Sequence, residues 1–135
     1  MTIIERIRLL EFPRKEYVVI GSGLLDALGL RASRDIDLVV GDQLFQTVRI
    51  SGRYHLSEKH GEEVLERDDV EIWRSWGAGD ELRFEALFAG GVTIDGIRFC
   101  HPSVIMRRKQ QRGGAKDMRD IELLQRYMRE HPTIF

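Results

Sequence analysis

Ile3, Ile4, Ile7 and Leu10 recur at spacings of three and four, which predicts a short amphipathic helix over residues 3–11, closed by Pro13. Tyr17-Val18-Val19-Ile20 is a continuous apolar, β-branched run that stops at Gly21, the pattern of a buried strand. Leu24, Leu25 and Leu28 return to helical spacing, and Gly29 supplies a glycine cap. Ile36-Asp37-Leu38-Val39-Val40 predicts a second strand, bounded by Gly41. Asp42 then stands where it would cap a helix carrying Leu44, Phe45 and Val48.

The middle of the chain is less regular. Residues 53–58, 62–67 and 69–76 read as three strands separated by polar turns, and residues 80–89 as a short helix through Leu82, Leu87 and Phe88. An Asp95-Gly96 turn introduces a last strand, Ile97-Arg98-Phe99-Cys100. A helix from about residue 102 to 111, a Gly113-Gly114 break and a helix from about 116 to 129 follow, the last with Ile121, Leu124 and Met128 as its core stripe. No repeat or low-complexity linker interrupts the order. The expectation is one α+β domain over 1–135, a small mixed β-sheet with helices packed on it and a C-terminal helical pair.

Composition bounds the function without naming it. The 135 residues are 42% hydrophobic and 32% charged, with a net charge of −1, so neither a generally basic nucleic-acid coat nor an acidic disordered tail is in view. The lone Cys100 excludes an intramolecular disulfide. No apolar run approaches the roughly 18–20 residues of a membrane span, and Glu5 and Glu11 spoil the pattern of a secretory leader. A cytoplasmic protein with no membrane partner is therefore expected. The near-neutral total conceals a split. Residues 1–100 hold 13 Lys and Arg against 18 Asp and Glu, whereas residues 101–135 hold 8 against 4.

Two local patterns bear chemistry. Gly21-Ser22-Gly23, between a strand and a helix, lets a phosphate approach the backbone and presents N–H groups to it. Asp35-Ile36-Asp37 places two carboxylates on one face of a strand, where they repel unless a divalent cation lies between them. Hard oxygen ligands of this kind suit Mg²⁺ bridging to phosphate. Each pattern alone also has an ordinary reading: a turn for the first, and for the second a solvated strand edge paired with Arg34.

Ile20-Gly21-Ser22, residues 23–34 and Asp35-Ile36-Asp37 together resemble the nucleotidyltransferase superfamily that includes DNA polymerase β. The stretch from Gly29 to Leu38 is similar to the small bacterial branch containing lincosamide nucleotidyltransferases and abortive-infection nucleotidyltransferase toxins. That branch carries a Lys on one C-terminal helix, then Lys-Asp and a further Asp three positions on, matched by Lys109, Lys116-Asp117 and Asp120. The resemblance covers roughly residues 17–125 and implies a minimal nucleotidyltransferase fold. It also implies a third carboxylate on a later strand: Glu71, between Val70 and Ile72, or else Asp69. The family more often has Asp there.

On that resemblance, Asp35, Asp37 and Glu71 hold Mg²⁺ and act in catalysis, while Gly21, Ser22, Lys109 and Lys116 bind the nucleoside triphosphate. The reaction implied is transfer of a nucleoside monophosphate to a hydroxyl of a small molecule, a protein or RNA. Two other functions stay open. One is a nucleotide-binding module with little turnover, half of a toxin–antitoxin pair or a homodimer. The other is an RNA-binding domain using the basic segment 101–135. The lysines have a plain alternative as well: a solvated helix face with Arg107, Arg108 and Arg112, a Lys116–Asp120 pair one turn apart, and Asp117 as a helix cap. His55, His60, His101, Cys100, Trp73 and Trp76 read as structural.

Overall fold

The apolar runs assemble into a single mixed sheet, seen in a computed structural model that describes all residues 1–135. Its strands are β1 (Tyr17–Ile20), β2 (Ile36–Val40), β3 (His55–Lys59), β4 (Glu62–Arg67), β5 (Val70–Trp73), β6 (Val92–Ile94) and β7 (Ile97–Phe99). They lie in the order β3-β4-β5-β2-β1-β7-β6. β1 runs antiparallel to β2 and parallel to β7, and β2 runs parallel to β5. The most apolar segments therefore occupy the middle: all four residues of β1 are buried, as are Leu38, Val39 and Val40 of β2. The polar hairpin β3–β4 falls to one edge.

Six helices pack around the sheet: α1 (Ile3–Arg8), α2 (Gly23–Ala27), α3 (Asp42–Ile50), α4 (Phe84–Ala89), α5 (Pro102–Arg112) and α6 (Ala115–Glu130). None is long and apolar enough to cross a membrane. Gly113, in the left-handed region at φ 70°, ends α5 and turns the chain directly into α6. The pair packs with Ile105 and Leu124 fully buried in the same core as Phe99, Leu24 and Ile3. The expected α+β architecture, with its mixed sheet and C-terminal helical pair, is the one observed.

Several boundaries differ from expectation for local reasons. Asp42 does not cap α3; Gly41 takes the cap conformation at φ −71° and ψ 164°, and Asp42 becomes the first helical residue, where its charge faces the positive end of the helix. The segment 80–89 splits at Arg83, which is extended, into a 3-10 turn at Asp80–Leu82 followed by α4. The strand expected over 69–76 is only Val70–Trp73, because Trp76 N–H turns away to the Leu82 carbonyl at 2.8 Å. β6 was not foreseen. Its three residues are too few for a period, yet Asp95 and Gly96, both with positive φ, form the tight turn that pairs it with β7.

Leu124 carries the docking of α6, so Leu124→Ala is expected to destabilise the chain by about 2–5 kcal/mol. Urea unfolding followed by far-UV circular dichroism checks this.

Candidate functional site

The β1–α2 turn, the ends of β2 and β5, and α5 converge on a cavity of about 660 Å³. Its lining includes Gly21, Asp37 and Glu71, the aromatic Trp73 and Trp76, and the basic Arg108, Lys109 and Arg112. The size is in the range that holds a nucleotide-sized ligand.

The acidic wall follows from strand register. Asp37 on β2 stands directly opposite Glu71 on the parallel β5 and opposite Ile20 on β1. Val70 and Ile72 turn into the core, which sends Glu71 and Trp73 to the other face. Gly21 has φ +70°, and a Cβ there would sit 3.1 Å from Asp37 Oδ2, so no side chain shields that carboxylate from the turn. Burial, the neighbouring Glu71 and the nearby Asp35 push the Asp37 carboxyl up to about 7. Its Oδ1 is buried with no hydrogen-bond partner. Asp35 lies just before β2 and is exposed, so it contributes charge from the rim rather than from the strand face. Of the two alternatives for a third carboxylate, Glu71 faces the cavity. Asp69 lies in the β4–β5 turn and pairs with Arg34 at 3.3 Å. Arg34 thus has a partner, and it is not the Asp35 pair.

The opposite wall is basic and more tightly built. Lys109 is only 2% exposed, donating to Ser22 Oγ at 2.9 Å and to Asp120 Oδ2 at 2.8 Å. Arg31 forks onto the same carboxylate, at 2.6 Å to Oδ1 and 2.7 Å to Oδ2, and also donates to Ser22 Oγ at 2.8 Å. Burial works to raise the Asp120 carboxyl, but the hydrogen bonds from Arg31 and Lys109 outweigh it and bring it down to about 2. Asp117 accepts from Arg112 at 2.6 Å and, as a cap, from the Gly114 backbone N–H at 3.3 Å. The loop that carries Arg31 is itself held, because Asp26 Oδ2 accepts the Ser33 backbone N–H at 2.7 Å.

Gly21, Ser22, Asp37, Glu71 and Lys109 are therefore brought together, with Asp35 at the edge. Lys116 is not. It is exposed on the first turn of α6, outside the cavity lining, and Asp120 turns inward to Lys109 and Arg31 instead of pairing with it. Lys109 likewise departs from the solvated helix face considered for it. Arg31 and Asp120 were not expected as site residues, although a signal exists. Asp117, Asp120, Ile121 and Leu124 form one buried stripe on α6, and Pro102, Ile105 and Lys109 one on α5. A charge on a core stripe demands an opposite charge on whatever packs against it. Trp73 and Trp76 pack against the core and also line the cavity, with Arg108 lying over the Trp76 ring at 5.5 Å. His60 lines the cavity too, while Cys100 is buried, its thiol pushed up to about 12 by burial, and no nucleophile.

The donor set suits a hard divalent cation: carboxylate oxygens only, one of them buried and unpartnered. No group of three His, Cys, Asp or Glu side chains is arranged to hold a metal ion.

No family model matches the chain, and no curated protein sequence matches it. Among solved structures it is similar to the crystal structure of ANT(2")-Ia in complex with adenylyl-2"-tobramycin. The TM-score is 0.53 at 17% identity, over 90% of this chain and 83% of that one. The chain thus has a nucleotidyltransferase-like α+β fold.

Two stability measurements check the electrostatics. Asp120→Asn leaves Lys109 and Arg31 without their carboxylate and should cost about 3 kcal/mol or more. Because the folded carboxyl lies near 2, below its ordinary 3.8, that loss is full at neutral pH, shrinks below pH 4 and disappears near pH 2. Asp37→Asn should do the reverse. The folded carboxyl is raised, so ionising it opposes folding increasingly from pH 4 to pH 7. The variant should melt higher than the parent at pH 8 and equally at pH 4.

Proposed function

We propose that this chain is a nucleotidyltransferase, related to the small bacterial branch that its sequence resembles. It moves a nucleoside monophosphate from a nucleoside triphosphate to a hydroxyl acceptor. One observation carries this reading: Asp37, whose buried Oδ1 has no partner, and Lys109, which shares Ser22 Oγ with Arg31, line one cavity. A triphosphate chelated to a divalent cation has the complementary charge pattern.

Asp35, Asp37 and Glu71 would hold Mg²⁺, which when bound neutralises the phosphate oxygens around the reacting phosphorus. Gly21 lets the phosphates approach the backbone, and Ser22 and Lys109 would bind them, with Arg31 held against Ser22 Oγ. Glu71 takes the proton from the acceptor hydroxyl. That oxygen bonds to the α-phosphorus as the bond to the β-phosphate bridge breaks, and pyrophosphate leaves past Arg108 and Arg112. Trp73 and Trp76 offer a flat apolar wall for a base or for the acceptor.

A second reading keeps nucleotide binding but little turnover, as one half of a toxin–antitoxin pair. The observation that favours it is the ion pair of Glu71 with Lys59. Incubation with α-labelled nucleoside triphosphates, Mg²⁺ and candidate acceptors, read by label transfer and pyrophosphate release, separates the two. The transferase should release pyrophosphate. Asp37→Ala should abolish that release, and Lys109→Met should lower it by about 100-fold. Nucleotide-induced stabilisation without pyrophosphate release from any acceptor would favour the second reading; no nucleotide binding would defeat both.

A further inference from the structure

Glu71 is held on its outer side by a cation the chain supplies itself. Lys59 Nζ donates to Glu71 Oε2 at 2.6 Å and to Glu66 Oε1 at 2.5 Å. Strand register explains the grouping. Asp37, Glu71, Glu66 and His55 stand opposite one another on β2, β5, β4 and β3 in turn. Three carboxylates thus form a row across one face of the sheet. Lys59, four residues along β3 from His55, shares that face and reaches back to the two outer members. Glu66 is fixed further by Ser57 Oγ, which donates to it at 2.9 Å. The inner member, Asp37, keeps its unpartnered Oδ1.

We propose that Lys59 is a positioning residue that competes with the divalent cation for Glu71. The inference rests on the nucleotidyltransferase reading and deepens it. Lys59 holds Glu71 toward the hairpin edge, and no group of three His, Cys, Asp or Glu side chains is arranged to hold a metal ion. Glu is suited to this exchange. Its extra methylene, relative to Asp, lets one carboxylate reach either Lys59 or a cation beside Asp37. The Lys59 ammonium, on a flexible stem and partly exposed, is easily released. Metal binding therefore includes breaking the Lys59–Glu71 pair, and the chain's affinity for free divalent cation is set lower than its carboxylates alone would give.

Titration of the chain with Mn²⁺, with free ion read by electron paramagnetic resonance, tests this without any turnover. Lys59→Met should bind Mn²⁺ about fivefold more tightly than the parent, the scale of an exposed ion pair. Lys59→Arg, which keeps the pair, should stay within about twofold. Lys15→Met, which removes the same charge at an exposed site away from the row, should bind as the parent does. Equal affinity of Lys59→Met and the parent, or equal tightening by Lys15→Met, overturns the inference. In that case a loss of binding in Asp37→Asn still leaves the function standing. Binding that ignores Asp37→Asn, or no binding at all, overturns both. If Lys59→Met fails to fold by circular dichroism, Lys59→Gln carries the same expectation and the same contrary result.

Discussion

Asp120 lies on the core-facing stripe of α6, about 1% exposed, where a lone carboxylate would cost several kcal/mol. It is tolerable because Lys109 from α5 and Arg31 from the loop before β2 meet it with three short hydrogen bonds. The same two cations then share Ser22 of the β1–α2 turn. Two segments around residues 22–31 and two around residues 109–120 are tied at one point, with Lys109 in the wall of the cavity. The neutralisation that lets α6 pack is thus also what builds the basic wall of the site.

The acidic wall comes from the opposite condition, in which charge is gathered without full compensation. Parallel pairing of β2 with β5 forces Asp37 and Glu71 side by side, and burial makes the first of them hard to ionise. Folding alone has no reason to place them so, since the arrangement opposes stability above pH 4. A site that costs stability and faces a basic wall across a cavity fits a ligand carrying both positive and negative charge.

Much of this was legible in the sequence. β1, β2 and α6 announce themselves through clear apolar patterns, and Asp37 and Glu71 stand out because each interrupts an apolar run. The hairpin turn at Asp95-Gly96 was visible, but its short first strand was not. Asp35 shows where pattern reasoning stops: the spacing put it on the strand, whereas β2 begins one residue later and leaves it at the rim. Lys109 and Lys116 look alike in sequence, and only the packing of α5 against α6 buries one and exposes the other. Arg31 gives no periodic signal, because it sits in a loop whose course depends on Asp26 and Asp120. The asymmetry between an acidic first 100 residues and a basic remainder has the same origin, in part: the two walls of one cavity are drawn from the two regions.

A crystal structure of the chain with Mn²⁺ and a non-hydrolysable nucleoside triphosphate tests the central claim most directly. An anomalous peak is expected against Asp37 and Glu71, with the triphosphate along Gly21 and Ser22 and within reach of Lys109 and Arg31. Nucleotide bound elsewhere, or in this cavity with no metal at Asp37, would contradict it.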